Sequence, residues 1–140
     1  MRQARWDHAC FSIYTNNVVT EIMVVGGYCW TGDSDDPDCP IGKTLKSTEI
    51  LNVASMTWSD GPDFPYNITS NDGATSIKDG YLGYSIGGSA EKDGRSFISK
   101  EIMGLITFNG SLSWVRVENM IRPRLDHTAV KVPLSIIPEC

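Results

Sequence analysis

The sequence predicts an all-β fold: an incomplete β-propeller of two four-stranded antiparallel blades plus one extra strand. Three observations predict it. An ordered set of residue marks occurs twice along the 140-residue chain and begins a third time. The segments between the marks are short, rich in β-branched residues and bounded by turn residues. Seven prolines are spread along the chain, which argues against a long helix.

The first mark is Arg5-Trp6-Asp7-His8-Ala9, matched by Arg124-Leu125-Asp126-His127-Thr128-Ala129, with Asp72-Gly73-Ala74 as a weaker middle copy. The second is an apolar run ending in a glycine pair, Ile22-Met23-Val24-Val25-Gly26-Gly27 and then Tyr84-Ser85-Ile86-Gly87-Gly88. The third is Ser47-Thr48-Glu49-Ile50-Leu51, matched by Ser99-Lys100-Glu101-Ile102-Met103. The fourth is a tryptophan, Trp58 and then Trp114. A shared order is harder to reach by chance than any single match. Variation sits between the marks: Glu49 comes 22 positions after Gly27, and Glu101 comes 13 positions after Gly88. Stacked repeats vary in this way, through loop insertions.

Each copy reads as strands. Residues 18–25 are rich in β-branched side chains and end in glycines, and residues 49–53 and 100–106 are short apolar runs. Turn residues punctuate the rest at Asp60-Gly61-Pro62-Asp63, Asn71-Asp72-Gly73, Lys78-Asp79-Gly80 and Asn109-Gly110. Four short strands in a repeat of roughly 50 residues is the pattern of a propeller blade. Blade one is expected over residues 2–66 and blade two over 67–121. Residues 122–134 supply the first strand of a third, and 135–140 form a tail. Two blades cannot close a ring, so missing blades or self-association are expected to complete one.

The marks resemble the kelch repeat, an apolar strand ending in Gly-Gly, a later strand and then a Trp. Thr48-Glu49-Ile50-Leu51-Asn52 through Trp58-Ser59-Asp60-Gly61-Pro62 looks very like the second half of such a repeat. Arg122-Pro123-Arg124-Leu125-Asp126-His127 looks like the start of the next. The resemblance covers roughly residues 2–132. It implies a kelch-type propeller, and kelch propellers generally act as protein-binding platforms. Each mark also has a physical reason. Paired glycines let a strand end near a crowded axis. Trp58 and Trp114 are expected to fill space between blades. The repeated Arg and Glu are candidates for ion pairs within a blade, and equally for solvated charges. Arg5, His8, Gly26, Gly27, Glu49, Trp58, Gly87, Gly88, Glu101, Trp114, Arg124 and His127 are therefore expected to be structural.

Composition narrows the function classes. Twelve basic and seventeen acidic residues leave a net charge of −5, which disfavours nucleic acid and anionic membranes as partners. No apolar run is long enough for a membrane span. A protein partner is the expectation, met by the loops after Gly-Gly (residues 28–46 and 89–96) and those entering the next blade (60–71 and 119–122). Candidate contacts there are Trp30, Asp33, Asp35, Asp36, Tyr66, Asn67, Lys92, Arg95 and Arg122. An exposed Trp beside carboxylates suits a basic peptide. The same residues also fit an ordinary solvated acidic loop with Trp30 folded back. Asp33, Asp35, Asp36 and Asp38 offer oxygen ligands to calcium but lack the glycine and distal Glu of a calcium loop. No cofactor or metal is expected.

Two histidines in one repeat position, and no hydrolase or phosphate-loop motif, argue against an enzyme. A kelch-type enzyme with its active site outside this chain remains the alternative of another class. Cys29 and Cys39 bracket the long loop and are candidates for a disulfide. Asn67-Ile68-Thr69 and Asn109-Gly110-Ser111 fit the glycosylation pattern, both at expected turns. These features support a second alternative, a secreted or surface propeller with a clipped loop that binds glycan or protein. The compartment stays open, with an intracellular placement the first expectation.

Overall fold

The computed structural model describes residues 1–30, 39, 42–75 and 80–130. Among them the chain forms only strands: β1 (Ala9–Thr15), β2 (Val18–Val25), β3 (Tyr28–Cys29), β4 (Lys43–Thr44), β5 (Thr48–Asn52), β6 (Thr57–Asp60), β7 (Asn67–Thr69), β8 (Asp72–Thr75), β9 (Gly83–Ile86), β10 (Ser89–Lys92), β11 (Arg95–Ile98), β12 (Glu101–Phe108) and β13 (Ser111–Asn119). Two antiparallel four-stranded blades result, ordered β1-β2-β5-β6 and β8-β9-β12-β13. Two smaller sheets, β3-β4 and β7-β10-β11, lie in the connections. Among the described residues no helix is long and apolar enough to cross a membrane.

Local chemistry sets these hairpins. Asn16-Asn17, Asp93-Gly94 and Asn109-Gly110 all have positive φ at both positions. Each is a two-residue turn whose twist matches that of the flanking strands. β1 alternates as a half-buried strand should: Ala9, Phe11 and Ile13 are buried while Cys10 is exposed. The β10–β11 hairpin was not expected; residues 89–96 read as a loop, although Asp93-Gly94 is a hairpin signal.

The core fills the space between the blades. Phe11, Ile13, Met23, Val25 and Ile50 face it from the first blade, and Met103, Leu105 and Trp114 from the second. Phe64, Tyr66 and Ile68, on the connection between blades, complete it. Trp114 meets Phe11 and Phe64 edge-on, with ring centroids 6.2 and 5.1 Å away. Its indole N–H donates to the Pro62 carbonyl at 3.1 Å. Gly83 lets the Phe11 ring approach so closely that a Cβ there would lie 2.1 Å from a ring carbon. Gly83→Ala should therefore cost about 1–3 kcal/mol. Combined with Phe11→Leu it should cost less than the sum of the two changes, as denaturant titration would show.

The glycine pairs tie each blade to the next. Gly26 and Gly87 N–H groups reach the carbonyls of Ser47 and Glu101, while those of Gly27 and Gly88 reach Ile68 and Arg124. All four glycines have positive φ. Asp7, Ser70 and Asp126 have φ of 52°, 51° and 50° and form a ladder. The Ser70 N–H donates to the Asp7 carbonyl at 2.9 Å, and the Asp126 N–H to the Ser70 carbonyl at 3.1 Å.

These bonds correct the repeat register. The middle copy of the first mark is Ser70-Asn71 rather than Asp72-Gly73, so Asn71 occupies the place of His8 and His127. Glu49 and Glu101 are not equivalent either. Gly26 and Gly87 bond Ser47 and Glu101, so Glu101 matches Ser47, and Met103 matches Glu49. Trp58 and Trp114 remain equivalent, each paired across its hairpin with a leucine, Leu51 or Leu105. Residues 121–130 follow the course of a third inner strand, through Arg124, Asp126 and the Ala129 N–H, which donates to the Asp72 carboxylate. They form no strand ladder. The end of the segment expected over 122–134 to open a third blade, and the tail, lie outside the described residues.

Candidate functional site

A cleft of about 610 Å³ opens where the N-terminal segment, β4 and the connections around β5 and β6 converge. Its floor is an ion pair. Arg5, on the entry to β1, and Glu49, on β5, meet at 2.8 Å with side chains 1% and 3% exposed. Buried charges are costly unless most of their donors and acceptors are satisfied, and of the Arg5 guanidinium nitrogens Nε alone has no partner among the described residues. The Arg5 guanidinium also donates to the Gly26 carbonyl at 2.9 Å and the Ser47 carbonyl at 2.8 Å. The Glu49 carboxylate accepts the backbone N–H groups of Arg2 and Gln3. The segment that precedes the first strand is thereby pinned across the blade. Burial lowers the Arg5 pKa, and the Glu49 charge opposes that shift.

The walls carry both signs of charge. Arg2 pairs with Asp60 at 2.8 Å and Lys46 with Asp63 at 2.9 Å, with all four side chains more than half exposed. Exposed pairs of this kind contribute little stability. Lys43, exposed on β4, and Asn67, half-buried on β7, complete the rim. Asn67 sits opposite Glu91 in the β7–β10 ladder, so the β10–β11 hairpin starts at this rim. Its tip holds the exposed Lys92 and Arg95 as a cross-strand pair.

Cys29 and Cys39 form a disulfide, 0% and 2% exposed, packed with Leu45 as a small satellite core. Cys39 lines the cleft. Trp30 follows directly and is 61% exposed. Replacing both cysteines by serine should lower stability by about 2–3 kcal/mol, the loop-closure value for this short span. Melting curves with and without reductant check this: wild type should fall to the variant's value on reduction, and the variant should not respond. Asp33, Asp35, Asp36 and Asp38 lie outside the described residues. Among the described residues no three His, Cys, Asp or Glu side chains cluster as metal ligands.

The expected contacts thus divide. Trp30, Asn67, Lys92 and Arg95 share the cleft, the disulfide beside it, or the hairpin leaving its rim. Arg122 is exposed after β13, apart from these elements. Tyr66 is a correction: it is 7% exposed and belongs between the blades. Its ring packs on Phe64, and its hydroxyl donates to Glu101 at 2.9 Å. Burial pushes its phenol pKa well above the ordinary value. Asn67 is also not in a turn, as expected from sequence, but in β7.

Among the repeat marks, Arg5 pairs with Glu49, whereas Arg124 is exposed. Glu101 is half-buried and meets Arg116 at 3.6 Å. Both tryptophans are half-buried, but Trp114 packs against the core between the blades, whereas Trp58 pairs with Leu51, on the strand position next to the core residue Ile50 and so on the other face of the first blade. The His8 pKa is lowered, first by burial and then by the Arg5 charge. Both His127 ring nitrogens are buried without a partner among the described residues. The pinning of the N-terminal segment by Glu49 had no sequence signal, because backbone donors leave no residue signature. No protein-family model matches the chain, and none of the curated proteins searched matches it.

Proposed function

We propose that the chain is part of a kelch-type propeller that acts as a non-catalytic protein-interaction module. The observation that carries this reading is the mixed-charge cleft over a buried ion pair, with an exposed tryptophan next in the chain to the disulfide at its edge and a charged hairpin, bearing Lys92, Asp93 and Arg95, leaving its rim. A rigid frame bearing adaptable charges and one large aromatic suits recognition of a polypeptide segment. The order of the repeat marks, which resembles kelch repeats, supports it independently. The test is selection of peptides from a random displayed library on the immobilised chain, then titration of the selected peptides. Trp30→Ala and Lys43→Glu should each weaken binding about tenfold or more, the effect of losing one interfacial anchor. Equal affinity in both variants would move the binding surface elsewhere.

The buried disulfide favours a second reading, a secreted or surface propeller whose long loop is clipped. Disulfides persist in oxidising compartments. Alkylation of the protein taken from its own source separates the readings, since free Cys29 and Cys39 thiols would sink this one.

A further inference from the structure

We propose that Asn109 carries an N-linked glycan whose first sugar packs on the Phe108 ring. Two acceptor patterns occur, and the fold treats them differently. Asn67 is half-buried on β7, and the next residue, Ile68, is fully buried. The Thr69 hydroxyl of that pattern already donates to the Asp7 carbonyl at 3.2 Å. A glycan there would have to be housed in the cleft.

Asn109 stands instead at the tip of the β12–β13 hairpin, exposed, in a two-residue turn with φ of 50° and 77°. A Cβ built at Gly110 would touch nothing within 4 Å, so the space around the tip is open. A bulky, hydrated sugar is accommodated at such a place without disturbing packing.

The second observation is Phe108. It is 64% exposed although it closes a ladder, paired directly with Ser111 of the same acceptor pattern. An aromatic ring next to the acceptor amide offers its electron-rich face to the C–H groups of a pyranose. The sugar would cover the ring, which the protein itself leaves uncovered. The third is the buried Cys29–Cys39 disulfide, a bond favoured in the same oxidising compartments in which such glycans are attached, so the proposal rests on the secreted or surface reading.

In the transfer, the Asn109 side-chain nitrogen bonds the anomeric carbon of an oligosaccharide donated as its lipid pyrophosphate. The bond from that carbon to the pyrophosphate oxygen breaks. The lipid pyrophosphate leaves, and the amide nitrogen gives up one proton.

The test is intact-mass and peptide analysis of the chain made through a eukaryotic secretory pathway, before and after peptide N-glycosidase. Enzymatic release should leave aspartate at position 109. Asn109→Gln and Ser111→Ala should each abolish that glycan, and Asn67→Gln should leave it in place. The glycosylated chain should melt about 2–4 °C above the enzymatically released one. With Phe108→Ser the glycan should remain while that gap disappears. Unmodified Asn109, in this material or in protein from its own source, overturns the site. An unchanged gap in the Phe108→Ser variant overturns the packing.

Discussion

Replacing Trp114 by alanine is expected to lower the unfolding free energy by about 3–5 kcal/mol, whereas the same change at Trp58 should cost about 1 kcal/mol or less. The two tryptophans hold equivalent places in their hairpins, opposite Leu105 and Leu51. Their surroundings differ. Trp114 lies against Phe11 and Phe64 and donates to the Pro62 carbonyl, so its loss opens a cavity between the blades and removes one of that carbonyl's two donors, the Thr48 hydroxyl being the other. Trp58 faces outward from the first blade. Urea titration of both variants measures the difference. Equal costs would mean that the blades are not held together through this ring.

Arg5→Met should be similarly severe, about 3–5 kcal/mol, because it leaves the Glu49 carboxylate buried without its counter-charge. Glu49→Leu should be comparable, since it strands the guanidinium and frees the N-terminal segment that Glu49 holds. The double variant should lose less than the sum of the two, with a coupling of about 1–3 kcal/mol. It should not recover fully, because the Gly26 and Ser47 carbonyls lose donors that methionine cannot replace. Strict additivity in this cycle would show that the pair does not act as a unit.

Much of the fold is legible in the sequence, for identifiable reasons. Gly-Gly and Trp are demanding positions: one needs positive φ beside a neighbouring backbone, the other a large flat cavity. Few other residues substitute at the glycine pairs or at Trp114, so the spacing of the glycine pairs shows the blades, whereas Trp58 marks its hairpin without filling such a cavity. The first mark is less legible because its left-handed turn accepts Asp7, Ser70 and Asp126 alike. An aspartate at 72 then drew the register two residues too far. Glu101 misled for a different reason. A bulge between Ile102 and Met103 shifts its hairpin, and the inter-blade core demands an apolar side chain where the first blade carries Glu49. Tyr66 falls among the loop contacts because turn residues at Asp60-Gly61-Pro62-Asp63 and Asn71-Asp72-Gly73 bracket it, while its burial depends on a blade distant in sequence. The cleft was invisible for the same reason: its floor joins residues 44 positions apart.

The ladder through Asp7, Ser70 and Asp126 makes the two kinds of opening separable in time. The amide protons of Ser70 and Asp126 are shielded by carbonyls of the preceding repeat, so solvent deuterium reaches them only when one repeat lifts off another. Amides inside β2 and β12 are shielded within their own sheets and wait for a sheet to come apart. Protection measured at these sites under mild denaturant therefore reads the cohesion between units independently of the cohesion within them. If the first set equilibrates early and the second late, the chain is a row of separately stable leaves. If both equilibrate together, the two leaves live and die as one cooperative body.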